Sequence, residues 1–79
     1  MTQKIIAEAG LQQIREANHM TQKQVAEILG VTQPAISNLE ERFMDAKIST
    51  LRNYFEVLKT KAYLVAETAS GMRIQLPIA

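Results

Sequence analysis

The chain has 79 residues, enough for one domain with a small core. It has no cysteine and a single histidine, His19, so disulfides, thiolate zinc sites and multi-histidine metal sites are excluded, and no cofactor is expected. Nine Lys and Arg against eight Asp and Glu leave a formal net charge of +1, so any positive face must come from placement rather than composition.

No apolar run approaches the roughly 18 residues needed to cross a bilayer, and the opening Met1-Thr2-Gln3-Lys4 does not read as a secretion signal. A soluble, cytoplasmic binding module with no membrane contact is the expectation. Paired carboxylates, a nucleophile–histidine pair and a phosphate-cradling glycine loop are all missing from the sequence pattern, so no enzyme is expected.

The pattern divides the chain into a helical part, 1–60, and an alternating part, 61–79. Ile5, Ile6, Ala9, Ile14 and Ala17 recur near helical spacing, with Gly10 interrupting, so the first helix is placed either across that stretch or from Leu11. Asn18-His19-Met20 ends it, and His19 reads as a terminal loop residue. Thr21 with Gln24 three residues on has the spacing of a capping box and opens a second helix, whose apolar face is assigned to Val25, Ala26, Ile28 and Leu29. Gly30 closes it, since a left-handed terminal residue is least strained without a Cβ.

Thr32 is a suitable N-cap for a third helix, and Pro34 falls in its first turn, where the missing N–H costs nothing. Ala35, Ile36 and Leu39 are expected to face inward. Arg42 to Lys47 reads as a polar loop. Ser49 is taken as the cap of a fourth helix with Leu51, Tyr54, Phe55 and Leu58 on its apolar side. Tyr54 and Phe55 are adjacent, so Phe55 is assigned to the core and Tyr54 to a half-exposed or partner-facing position. After Thr60 the period changes from 3.6 to 2. Tyr63 to Ala66 and Met72 to Leu76 alternate around Thr68-Ala69-Ser70-Gly71, which predicts a β-hairpin ended by Pro77.

Two short helices joined at a glycine form a helix-turn-helix over Gln22 to Glu41. Ala26 permits close crossing, and Val31 is expected to plug the angle between the helices. With Ile36 and Leu39 seated inward, Thr32, Gln33, Ser37 and Asn38 point out together. Gln and Asn each present a donor and an acceptor in fixed geometry, which matches adenine N6 and N7 in the major groove.

The run Thr21-Gln22-Lys23-Gln24-Val25-Ala26-Glu27-Ile28-Leu29-Gly30-Val31-Thr32-Gln33-Pro34-Ala35-Ile36-Ser37-Asn38-Leu39-Glu40, continued by Ser49-Thr50-Leu51-Arg52, resembles the Cro/C1-type (XRE) family of DNA-binding proteins. The likeness covers about residues 11–60. It implies a mainly α, lambda-repressor-like bundle of four helices, here with a two-stranded antiparallel C-terminal hairpin. It also implies that Gln22 meets a phosphate and that Thr32, Gln33, Ser37 and Asn38 lie at the groove. Pro34 departs from the pattern: it stands where related repressors often place a polar reader, and offers only apolar contact, such as a thymine methyl.

Phosphate contacts hold register without reading sequence; Gln22, Lys23, Arg15, Arg42, Lys47 and Arg52 are the candidates. Glu40 and Glu41 must turn away from DNA, or toward Arg42 and Arg52. One module reads few bases, so a homodimer on a palindromic operator is expected, with recognition helix 33–41 in the groove. Leu64, Val65, Ile74 and Leu76 of the hairpin are its candidate interface, the other possibility being that the hairpin lies on its own helices. The whole layout is similar both to phage-type Cro repressors and to HigA-type antitoxins, which also hold a toxin protein. Repressor is the leading reading and antitoxin the alternative.

Overall fold

The computed structural model describes residues 10–79. Ile5, Ile6 and Ala9 lie outside the described residues. Helix α1 spans Leu11–Ala17, α2 Gln22–Leu29, α3 Gln33–Glu41 and α4 Ile48–Val57; β1, Tyr63–Glu67, and β2, Arg73–Pro77, follow. A single 3₁₀ turn, Phe43–Asp45, occupies the loop between α3 and α4.

Local chemistry accounts for most of the boundaries. The Gly10 amide donates to Gln13 Oε1 at 2.9 Å, tying the first turn of α1. At the other end His19 sits at φ +58°, and the Met20 amide reaches back to the Arg15 carbonyl, so a left-handed residue closes the helix without glycine. At α2 the capping box forms in both directions: Gln24 N–H donates to Thr21 Oγ1 at 3.1 Å, and Thr21 N–H to Gln24 Oε1 at 2.8 Å. Gly30 follows at φ +72°, where a Cβ would be strained, and the Val31 amide returns to the Ala26 carbonyl. The Thr32 hydroxyl accepts from the Ala35 amide at 3.2 Å and starts α3. Helix α4 begins two residues earlier than its serine suggested, with Lys47 in the N-cap position and no side-chain cap.

The core comprises Leu11, Val25, Ala26, Ile36, Tyr54, Phe55 and Leu58, with Ile14, Leu29, Leu39, Phe43 and Leu51 around it. Four expectations are corrected. Ala35, expected to face inward, is exposed, because the inner side of α3 is carried by Ile36 and Leu39. Ile28 is 63% exposed, because α2 turns only a narrow face inward and Val25, Ala26 and Leu29 fill it. Val31 is also exposed and does not plug the angle between α2 and α3, whose residues buried in the core are Val25, Ala26 and Ile36. Tyr54 is fully buried, as is nearly all of Phe55. Their rings meet edge to face at 5.8 Å, because α4 is wedged into the bundle and buries a wide arc.

The hairpin pairs Leu64 with Leu76, Ala66 with Ile74 and Glu67 with Arg73. Gly71, at φ +90°, closes the Thr68–Gly71 turn with its amide on the Thr68 carbonyl. The root of the hairpin is anchored: Ile78 N–H donates to the Ala62 carbonyl at 2.9 Å, and Ala62, Ile78 and Ala79 lie against the core. Beyond the root, every residue of both strands is exposed. Alternation places Leu64, Ala66, Ile74 and Leu76 on one face, extended by Met72. Val65, expected at the interface with Leu64, Ile74 and Leu76, is separated from them: it stands on the opposite face with Tyr63 and Gln75, because successive strand residues alternate sides.

Candidate nucleic-acid interface

Helix α3 is held from one side and open on the other. Ile36 is buried and Leu39 half-buried against the core. That seating leaves Thr32, Gln33, Pro34 and Asn38 exposed and Ser37 half-buried along the outer edge. The five residues expected at the groove therefore share one continuous strip. The first residues of α2 flank it, Gln22 half-buried and Lys23 exposed. Gln33 Nε2 donates to Gln22 Oε1 at 3.5 Å, which brings the starts of the two helices together.

Behind this strip lies a charged cluster that the sequence reading assigned otherwise. Arg15 was expected to touch phosphate, and the structure corrects this: its residue is only 7% exposed. Its Nε meets Glu40 Oε2 at 2.6 Å, its Nη2 meets Glu40 Oε1 at 3.2 Å, and its Nη1 donates to the Met20 carbonyl at 2.9 Å. Glu40 accordingly turns neither to Arg42 nor to Arg52. It also accepts from the Tyr54 hydroxyl at 2.5 Å and from Gln22 Nε2 at 3.0 Å.

Every polar atom of the cluster is thereby matched, as a buried ion pair requires. Burial by itself pushes the Glu40 carboxyl up. The hydrogen bonds from Arg15, Tyr54 and Gln22, with the Arg15 charge, outweigh it and hold the group below its ordinary value. The Tyr54 hydroxyl is pushed up, first by burial and then by its bond to Glu40. A local signal for this cluster existed. Arg15 stands four residues after Leu11, and Glu40 four after Ile36, so each continues a core face by one helical turn.

The remaining cations differ in availability. Lys23, Lys47 and Arg52 are exposed. Arg42 is exposed too, but its Nη2 lies 3.4 Å from Asp45, which offsets part of its charge. Between α3 and α4 a hollow of about 330 Å³ gathers Ala35, Asn38, Arg42, Asp45 and Thr50. Thr50, not among the candidate contacts, joins the strip there from the first turn of α4. No group of three or more His, Cys, Asp and Glu able to hold a metal ion occurs among the described residues.

Comparison with known proteins agrees with this geometry. A helix-turn-helix family model matches residues 11–64. Antitoxin HigA1 from two strains of Mycobacterium tuberculosis is 37% identical over 54 residues, covering 68% of this chain and 36% of each relative. The chain thus spans little more than a third of the length of those curated relatives. Among solved structures, DNA-bound antitoxin HigA3 superposes with a TM-score of 0.71 at 30% identity, over 90% of this chain and 92% of that one.

Proposed function

This chain belongs to the helix-turn-helix family, of the Cro/C1 type, and we propose from that premise that it is a sequence-specific DNA-binding repressor acting by binding rather than catalysis. The observation that carries the reading is the outer strip of α3, where Gln33 and Asn38 stand exposed on a helix seated by Ile36. Helix α3 enters the major groove, and these two amides bridge donor and acceptor pairs on base edges. Thr32 and Ser37 serve bases or phosphates, and Pro34 meets a thymine methyl. Gln22, Lys23, Lys47 and Arg52 contact the backbone and set register. The likeness to antitoxin HigA3, solved bound to DNA, supports this partner.

Gln33→Ala is expected to cost about 1–3 kcal/mol of operator binding and to relax preference at one base pair. Lys47→Ala is expected to weaken all sequences alike and to lower the salt slope by about one. Gel shifts across a salt series separate the two. Unchanged operator affinity for Gln33→Ala would remove that residue from the groove.

The reading includes a homodimer on a palindromic operator, because two modules about 34 Å apart meet successive turns of DNA. The hairpin supports it. Its apolar face of Leu64, Ala66, Ile74 and Leu76 is exposed, and Leu64 also lines an apolar hollow of about 390 Å³ with Leu11, Ile14, Phe43 and Phe55. A second copy laid on this face covers one continuous apolar surface. No helix among the described residues is long and apolar enough to cross a membrane. A cytoplasmic site of action is part of the DNA-binding reading.

A second reading rests on the names of the relatives: the chain is the antitoxin of a toxin–antitoxin pair and holds a toxin protein as well as DNA. Co-purification of the full chain with the product of a neighbouring toxin gene tests it. Absence of a complex when the two are co-expressed would leave the repressor alone.

A further inference from the structure

We propose that Glu40 is a positioning residue for base readout: its carboxylate fixes which way round the side-chain amides of Gln22 and Gln33 lie, and so sets the preference of Gln33 for adenine. The inference rests on the DNA-binding reading and adds a residue that touches no DNA.

An ionised carboxylate only accepts hydrogen bonds. Glu40 is held in that form and place by Arg15 on two nitrogens and by the Tyr54 hydroxyl, with its side chain 4% exposed. Gln22 can therefore face it only with its amide nitrogen, as the 3.0 Å contact from Nε2 to Glu40 Oε1 records. The reverse would set the Gln22 oxygen against the carboxylate, two acceptors with no proton between them in a part-buried site.

With Gln22 Nε2 engaged, its Oε1 is turned toward α3 and accepts from Gln33 Nε2 at 3.5 Å. Polarity thus passes along the chain Glu40, Gln22, Gln33. What Gln33 has left for the groove is its Oε1 acceptor and one amide N–H. Those match the adenine N6 donor and N7 acceptor. The inverted chain would turn amide donors toward the groove, which match the O6 and N7 acceptors of guanine. A glutamine in place of Glu40 offers both a donor and an acceptor and permits either polarity.

The test is a base-preference profile of the full chain, measured on a pool of duplexes with a randomised core. Gln33→Ala identifies the column that Gln33 reads. In Glu40→Gln the adenine-over-guanine preference at that column is expected to fall about tenfold, with the other columns unchanged. That substitution leaves Arg15 unpaired in the interior, so Arg15→Met/Glu40→Gln, which removes the charges together, is measured beside it with a thermal unfolding curve. The same single column is expected to lose its preference in the folded double variant. In a Gln22→Met background, where the relay is already cut, Glu40→Gln is expected to change nothing further at that column. An unchanged adenine preference in the folded double variant overturns the proposal, as does a uniform loss across all columns. Should the unsubstituted chain enrich no sequence at all, the DNA-binding reading itself fails and the relay falls with it.

Discussion

Glu40→Ala is expected to lower the unfolding free energy by about 3–5 kcal/mol, a large share of the 5–15 kcal/mol available to a small domain. The size follows from what stays behind. Arg15 and Glu40 meet at 2.6 Å with side chains 8% and 4% exposed. Deleting the carboxylate leaves the guanidinium in the interior with the Met20 carbonyl as its remaining protein partner, and strips the Tyr54 hydroxyl of its 2.5 Å acceptor. Urea denaturation followed by far-UV circular dichroism measures the loss. Arg15→Met/Glu40→Leu, which replaces both charges with apolar side chains of similar volume, is expected to recover most of it.

The same pair gives a pH signature. The folded Glu40 carboxyl is held below its ordinary value, so on acidification the unfolded chain takes up its proton first. The contribution is therefore complete above about pH 4.3, the ordinary glutamate value, and is lost as pH falls through the lower folded value. The urea midpoint should drop over that acid window, and the double variant should drop less steeply. A Glu40→Ala midpoint equal to that of the unsubstituted chain would mean that the cluster contributes nothing to stability.

The second large effect concerns the hairpin. Leu64→Lys with Leu76→Glu places opposite charges on a directly paired position, which keeps the strands together while removing the middle of the apolar face. Sedimentation velocity is expected to show a monomer. Operator affinity is expected to fall by about 10²–10⁴-fold, because the second half-site is no longer presented at high effective concentration. An unchanged circular dichroism spectrum would show the helices intact. A dimer that survives the double substitution would place the interface elsewhere.

Helix content is conserved while affinity is lost because, among the described residues, it is Ala62, Ile78 and Ala79 at the root of the hairpin that pack against the core, whereas every strand residue is exposed. The strands beyond Ala62 add little to the bundle that holds α3 in place. Under the proposed dimer, stability and pairing of copies fall to different parts of the chain, the Arg15–Glu40 cluster to the first and the hairpin face to the second.

Much of the architecture was legible before any coordinates. Thr21 with Gln24, Gly30, Thr32 with Pro34, and Gly71 each act on hydrogen bonds or torsions within four residues, and the structure has each of them in that role. The outward strip of α3 followed from helical period alone, since Ile36 and Leu39 on one side leave Gln33 and Asn38 on the other. Where reading by period failed, the cause was breadth of burial. It assumes one apolar face of ordinary width, whereas α2 buries less than that and exposes Ile28, and α4 buries more and encloses Tyr54 beside Phe55.

Local sequence by itself thus determined where α2 and α3 begin, the turn at Gly30, the hairpin, and which edge of α3 is free. Tertiary structure alone decided that Arg15 is an interior partner of Glu40, 25 residues away, rather than a hand on phosphate. The reason is that helical spacing can set Arg15 on the face of Leu11 and Glu40 on that of Ile36, but it does not say what each charge meets there: water, DNA or a buried partner depends on what a distant helix brings within about 3 Å.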